Sequence, residues 1–246
     1  LYIKQATTYR PDSASSGNVT TRDIRIDGIL VADSNTIRVG GSWDNNAVFT
    51  PGNSTIIFTA TSTTETIDFT GASSTSFTNL TIGESSGTAT TSMQSHVDVT
   101  GTLSIQHGTL SQNVTRSLTL SGDLTIGSSG RFNKGGLAST TFIGSASRTW
   151  TDSTASKQDL GEVIIDGTAK SVTLGSNVKA TNITIGADDS LSASASNYSI
   201  DVFGNWTNNN VFSAQSGTVN FVATTTGKVI DPGSSSFYNL SFSGVG

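Results

Sequence analysis

An internal repeat of about 80 residues constrains this chain more than any other feature of its sequence. The stretch Gly87–Ile105 matches Gly167–Ile185, which lies one repeat further along the chain. At twice that distance, two shorter matches pair Gly41–Phe49 with Gly204–Phe212 and Ser76–Ile82 with Ser236–Phe242. Self-similarity at a fixed period is the signature of a repeat architecture, in which each unit buries its apolar face against its neighbours.

A finer period of about 20 residues lies inside each unit. Short runs alternate apolar and hydroxyl side chains, as in Leu103-Ser104-Ile105, and clusters of Gly, Ser and Asn separate the runs. Period-2 alternation is typical of strands with one buried face, and the clusters indicate turns. The apolar anchors of the runs are Ile26, Trp43, Phe58, Ile82, Ile105, Ile126, Phe142, Ile165, Ile185, Trp206, Phe221 and Phe242.

Short strands at this spacing predict an all-β, right-handed parallel β-helix (β-solenoid), in which every coil stacks on the one before it. We expect about twelve coils of about 20 residues in one domain, 17–246, with repeats 17–95, 96–175 and 176–246. The alternative fold is a pair of β-sandwiches, which shares the alternation but does not need the finer period. The side chains predicted to be buried are Leu103, Ile105, Leu124, Ile126, Ile183 and Ile185.

The two ends of the chain lead to different expectations. Residues 1–16 fit the repeat less well and contain Lys4, Arg10 and Pro11, which can protect a sheet edge, so we predict an N-terminal cap or docking arm. Leu240–Gly244 copies an interior strand with no polar cap after it. This favours either a fragment of a longer repeat protein or head-to-tail stacking of the open last coil on the N-terminal arm of another copy.

Three motifs carry a resemblance to known proteins. They are the strands of Val97–Ile105, the Gly-Ser/Asn-Trp-x-Asn-Asn pattern that begins at Gly41 and Gly204, and the Phe-x-Asn-Leu pattern at Phe77 and Phe237. Over residues 17–246 the chain resembles the parallel β-helix regions of bacterial secreted surface proteins and adhesins. The resemblance implies a non-enzymatic extracellular or cell-surface protein, such as an adhesin stalk, a surface-layer component or a filament subunit.

Composition excludes several classes of protein. The chain has no Cys, so it has neither disulfides nor thiolate chemistry. Only 13% of its residues are charged and its net charge is −5, without a basic stripe that would bind a nucleic acid. The sequence contains no apolar run long enough to predict a membrane span. Ser and Thr are its most abundant residue types, and this composition favours an extracellular location.

Few residues are candidates for chemistry. The predicted fold resembles that of pectate lyases and polygalacturonases, enzymes that use clustered carboxylates. In this chain the adjacent acidic pair, Asp188-Asp189, lies in a predicted solvated turn. Asp152, Asp159 and Asp166 recur at a spacing shorter than one coil and should not share a face. The two histidines, His96 and His107, stand in no metal or triad motif. We therefore predict no enzyme, no cofactor, and no catalytic, cofactor-binding or metal-binding residue.

The alternative function is a carbohydrate-binding or carbohydrate-active β-helix, which would need exposed aromatic residues in a groove. The three tryptophans align with aliphatic residues of other units, so we predict that Trp43, Trp150 and Trp206 belong to the core. Threonine clusters could bind ice, but Thr59–Thr61, Thr149–Thr151 and Thr224–Thr226 recur only once in each long repeat. The seven Asn-x-Ser/Thr sequons, at Asn18, Asn53, Asn79, Asn113, Asn182, Asn205 and Asn239, are close to the number that chance gives.

Overall fold

The chain winds into a right-handed parallel β-helix of about 11 turns, seen in a computed structural model that describes residues 1–11 and 17–245. No helix occurs among these residues, and all pairings between their strands are parallel. The predicted β-helix is thus confirmed. The alternative pair of sandwiches is wrong, because sandwiches of that kind are built from antiparallel sheets.

Each turn passes through three faces, which we name A, B and C. Face A consists of β1 (Tyr2–Ile3), β4 (Ile24–Ile26), β7 (Trp43–Asn45), β10 (Thr64–Asp68), β13 (Thr90–Met93), β22 (Val178–Ala180), β25 (Ile200–Val202), β28 (Thr218–Phe221) and β30 (Asn239–Phe242). Face B consists of β2 (Thr8–Tyr9), β5 (Ile29–Val31), β8 (Val48–Thr50), β11 (Ser76–Phe77), β14 (Val97–Val99), β16 (Leu118–Leu120), β18 (Ser139–Phe142), β20 (Glu162–Ile165), β23 (Asn182–Ile185), β26 (Trp206–Asn208) and β29 (Ile230–Asp231).

Face C consists of β3 (Val19–Thr21), β6 (Thr36–Val39), β9 (Thr55–Phe58), β12 (Asn79–Ile82), β19 (Arg148–Asp152), β21 (Ser171–Leu174), β24 (Ser190–Ser192) and β27 (Val211–Ser213). Two longer strands, β15 (Leu103–Gln112) and β17 (Leu124–Asn133), begin on face C and continue round the corner onto face A. The bend coincides with a register shift between Ile105 and His107.

The length of one turn is more variable than the sequence predicted. The step from Ile24 to its partner Trp43 is close to the expected length, whereas the step from Ile67 to its partner Met93 is clearly longer. Most steps exceed the predicted one, because the prediction counted apolar anchors without regard to the face on which they lie. The number of turns is accordingly about 11 and not twelve.

The sequence repeat does not correspond to a whole number of turns. β14 lies in the eight-stranded sheet of face B, whereas β22, its counterpart one repeat later, lies in the four-stranded sheet of face A. Likewise β7, with Trp43, lies on face A, and β26, with Trp206, lies on face B. One repeat therefore spans three and two-thirds turns, so that equivalent segments are rotated by one face and do not stack above one another.

The core is a continuous column of apolar side chains inside the three faces. On face C the parallel register stacks Leu80, Leu103, Leu124, Trp150 and Leu174 in consecutive turns. All six side chains predicted to be buried are buried, as are eleven of the twelve apolar anchors. The exception is Phe242 on β30, which is 68% exposed.

The predicted N-terminal cap or docking arm contains β1 and β2, which pair in parallel with β4 and β5 and form the first turn. Residues 12–16 of this segment, and Gly246 at the end of the third predicted repeat, lie outside the described residues. A role in docking stays a prediction. Where the structure describes the chain, no helix is long and apolar enough to cross a membrane.

Candidate functional site

One regular polar surface of the described chain lies on face A in turns 4 to 7. Here β10, β13 and the second halves of β15 and β17 run side by side. Because successive side chains of a strand point to opposite faces, every second residue of these strands points away from the core. Most of the outward positions are occupied by hydroxyl side chains.

The parallel register aligns these side chains in two columns along the solenoid axis. The first column contains Thr64, Thr90, Thr109 and Arg131, and the second contains Thr66, Ser92, Ser111 and Asn133. Neighbouring members of a column belong to adjacent strands and are therefore about 4.8 Å apart. The Asn133 side-chain amide donates a hydrogen bond to Ser111 Oγ at 3.0 Å, which ties two turns together at the end of the second column.

A cleft of about 440 Å³ adjoins the columns at the corner where the chain passes from face C to face A. Its polar lining includes Thr88, His107, Thr109, Ser129 and Arg131, and no Asp or Glu belongs to the lining among the described residues. Gly108, in the wall of the cleft, has a φ of +70°, and a Cβ there would lie 2.5 Å from the Ala89 carbonyl oxygen. Glycine therefore permits the tight turn and leaves the corner concave.

Two carboxylates of β10, those of Glu65 and Asp68, have pKa values that are shifted in opposite directions. Glu65 points inward and is buried. This burial raises its pKa to about 7, although a hydrogen bond from Thr91 Oγ1 acts to lower it. Burial alone would raise the pKa of Asp68 as well, but hydrogen bonds from Thr70 and Ser95 outweigh this effect and lower the pKa. A charged carboxylate, Asp68, thus lies next to Thr66 on β10 but outside both columns, and the columns cover Glu65, which is largely neutral below pH 7.

The acidic pair predicted to lie in a solvated turn has a structural role. Asp189 is buried, and its carboxylate accepts hydrogen bonds from the N–H groups of Lys170 at 2.6 Å and Gly167 at 3.0 Å. Asp188 accepts one from the Ala169 N–H at 3.1 Å. The expectation of a solvated turn was wrong for Asp189, because the preceding turn supplies backbone donors that a carboxylate can satisfy inside the solenoid.

Asp152, Asp159 and Asp166 lie at different places round the solenoid, as predicted. Asp152 is buried on face C, where Thr154 donates to it through both its N–H and its hydroxyl group. Asp159 forms an ion pair with Lys134. Asp166 is exposed at the end of β20. These carboxylates therefore do not converge on one point.

The two histidines are separated as well. Nδ1 of His96 accepts a hydrogen bond from the Ser117 N–H at 3.0 Å, before the start of β14. His107 lines the cleft at the corner of faces C and A. Across the described residues there is no group of three or more His, Cys, Asp and Glu side chains that could hold a metal ion. That the protein has no catalytic, cofactor or metal residue stays a prediction.

The tryptophans are core residues, as the sequence predicted. Trp43, Trp150 and Trp206 are all buried. The indole nitrogens of all three are buried without a hydrogen-bond acceptor among the described residues. No tryptophan is thus available to stack on a sugar from outside.

Asparagine side chains connect successive turns at the corners. Oδ1 of Asn79 accepts a hydrogen bond from the Thr102 N–H, and Oδ1 of Asn182 accepts one from the Asn205 N–H. One turn later, Oδ1 of Asn205 accepts a hydrogen bond from the Val229 N–H in the same way. This explains why asparagine recurs where these strands begin, because its side chain replaces a ladder hydrogen bond where the backbone turns. The side chains of Asn18 and Asn239 also hydrogen-bond to an adjacent turn, so five of the seven sequon asparagines connect turns of the solenoid.

The threonine clusters singled out in the sequence do not form an array. Thr149 and Thr151 lie on face C, whereas Thr59–Thr61 and Thr224–Thr226 belong to turns. The two columns of face A are formed by other Ser and Thr residues. The sequence did not reveal them because the steps between their turns differ in length and hide the alignment.

Sequence reasoning also missed two basic residues. Arg131 ends the first column and lines the cleft. Lys170 is buried, and its ammonium group donates a hydrogen bond to the Ser121 carbonyl at 2.9 Å. Burial of this ammonium group lowers the pKa of Lys170. A lone lysine in a hydroxyl-rich turn carries no sequence signal for such burial.

Comparison with protein-family models, with curated proteins and with solved structures gives no match for the chain.

Proposed function

We propose that this protein is a non-enzymatic extracellular module that serves as a stiff structural or adhesive rod. The observation that carries the proposal is the uninterrupted stack of about 11 turns. Every turn hydrogen-bonds to the next through its backbone, and one apolar column fills the interior. With strands about 4.8 Å apart, the stack is about 50 Å long. Such a rod sets a distance between whatever is attached to its ends.

The chemistry of the surface agrees with a role that needs no catalysis. Most buried carboxylates are engaged by donors of their own or neighbouring turns, as Asp152 and Asp189 are. The resemblance to β-helix regions of bacterial surface proteins and the Ser/Thr-rich composition support an extracellular or cell-surface location.

Two measurements test this proposal. Small-angle X-ray scattering should give a rigid rod with a long dimension of about 50 Å. Incubation with a panel of acidic and neutral polysaccharides should release no reducing ends. Turnover that is lost in the Asp188→Asn, Asp189→Asn double variant, but kept in an Asp166→Asn control, would overturn the non-enzymatic assignment.

Self-association of such rods is a second proposal, and the exposed face of β30 favours it. Leu240 and Phe242 stand at positions that point inward in other turns, yet they are 46% and 68% exposed. We propose that a turn of another copy covers them. Analytical ultracentrifugation should show assembly that Phe242→Ser abolishes and that the outward change Ser241→Ala leaves intact. A chain that is monomeric at all concentrations contradicts the proposal.

A further inference from the structure

Most basic side chains of this protein are engaged by groups of the protein itself. Of the 13 Lys and Arg residues, nine have an ion pair, a hydrogen bond to a carbonyl oxygen or an aromatic ring as a partner. Arg131 is exposed and has no such partner among the described residues. Lys4, Arg116 and Lys228 also have no such partner among the described residues, and of these Lys4 and Lys228 are exposed.

Arg131 differs from these three in its surroundings. It stands at the junction of the first column with the 440 Å³ cleft, where hydroxyl side chains of three successive turns surround it. Lys228 also lines a hollow, but that hollow contains the apolar side chains of Phe221, Ile230 and Phe242. The corner of faces C and A therefore combines an unpaired cation, hydroxyl groups and a concave wall free of carboxylates among the described residues.

We propose that this corner, together with the two columns of face A, binds an acidic polysaccharide that lies along the solenoid axis. The planar guanidinium of Arg131 can donate two parallel hydrogen bonds to a carboxylate or a sulfate group. The hydroxyls of Thr90, Thr109 and Ser111 can both donate to and accept from the hydroxyls of successive sugar units. The inference rests on the adhesive role proposed above and specifies its ligand.

The remaining features of the surface narrow the class of ligand. The three tryptophans are buried, so this surface lacks the rings that would stack on a neutral sugar. One arginine is too few for a phosphate backbone, since nucleic-acid binding depends on neutralising several phosphates at once. A linear polymer suits the columns, because each hydroxyl contact is weak and only their repetition along the axis adds up.

Isothermal titration calorimetry with polygalacturonate, dextran sulfate and neutral dextran tests the inference. We expect at least one acidic polymer to bind, with dextran weaker by about tenfold or more, as expected for the loss of a charged contact. Binding of polygalacturonate alone assigns carboxylate recognition, and binding of dextran sulfate alone assigns sulfate recognition. No binding of either acidic polymer, or equal binding of dextran, would overturn the inference.

Matched variants locate the site. Arg131→Gln should weaken binding about tenfold, whereas Lys228→Gln, which removes the same charge elsewhere, should not. Thr109→Val, which keeps the shape of the side chain, should weaken binding a few-fold, whereas Thr207→Val on face B should not. Equal losses in Arg131→Gln and Lys228→Gln would show general electrostatic attraction and contradict the proposed site. Because no variant alters the core, the scattering profile of the rod should stay unchanged, which separates failure of this site from failure of the rod.

Discussion

Two aromatic clusters that descend from the same repeated sequence pack in the same way on different faces. Trp43 lies 4.8 Å from Phe49 and 5.2 Å from Phe77, measured between ring centroids. The counterpart Trp206 lies 4.8 Å from Phe212 and 5.3 Å from Phe237. The edge-to-face geometry is also shared, with interplanar angles of 74° and 73° for the first pair in each cluster. Local sequence therefore fixes the packing of a turn whichever face it occupies.

The clusters differ in what covers them. Beside the Trp43 cluster, Leu80 and Ile82 are buried because β15 pairs with β12. Beside the Trp206 cluster the equivalent residues on β30 are exposed, since no described strand covers that edge. The same strand sequence is therefore core in one place and surface in the other. In a solenoid the contribution of a turn depends on its neighbour as much as on its own residues.

Truncation of the two tryptophans should give the largest effect. Trp43→Ala should lower the free energy of unfolding by about 3–5 kcal/mol, because the covered cluster cannot collapse into the cavity. Trp206→Ala should cost less, because Phe237 and the last turn can move inward. Urea titration followed by circular dichroism measures both, and hydrogen exchange should localise the Trp206→Ala effect to the last turns. A larger loss for Trp206→Ala would contradict the role of the covering turns.

Leu80 and Leu240 are equivalent residues of the covered and the exposed strand, so their truncation compares the two environments directly. Leu80→Ala should cost about 2–5 kcal/mol, the usual range for a buried leucine. Leu240→Ala should stay within about 0.5 kcal/mol, as is typical of surface positions. Thermal unfolding of the two variants suffices for this test. A comparable cost at both positions would mean that Leu240 is covered in solution, and it would support self-association through β30.

The two clusters should also differ in how stability depends on pH, because the position of the buried Glu65 is occupied in the second cluster by the exposed Lys228. Burial raises the pKa of Glu65 from 4.5 to about 7. The folded state therefore binds the proton more tightly than the unfolded state, and the resulting stability is complete below pH 4.5 and is lost as the pH rises through about 7. The loss should be about 3 kcal/mol. Glu65→Gln should flatten this part of the profile, whereas Glu162→Gln, on an exposed glutamate, should not; an unchanged slope in Glu65→Gln would refute the assignment.

The sequence predicted those features that depend on alternation within a strand. Strand type, the buried tryptophans and the stack of Leu103 with Leu124 all follow from period-2 patterning and the repeat. Features that depend on the length of each turn could not be predicted. The step between paired strands changes from turn to turn, so neither the rotation of the repeat by one face nor the columns that end at Arg131 and Asn133 could be derived from spacing.

The smallest expected effect concerns the asparagines that begin the repeated strands. Oδ1 of Asn79 accepts the Thr102 N–H of the next turn, whereas for Asn239 no described residue donates to Oδ1. Asn79→Ala leaves that N–H without its acceptor and should cost about 1 kcal/mol, whereas Asn239→Ala should change stability little. Asn79→Asp keeps the acceptor oxygen and should restore most of the loss, which distinguishes the hydrogen bond from the packing of the side chain. Thermal denaturation at neutral pH can resolve these differences. If Asn79→Asp is as unstable as Asn79→Ala, the contact between turns is not what the asparagine contributes, and the recurrence of asparagine at the start of these strands needs another explanation.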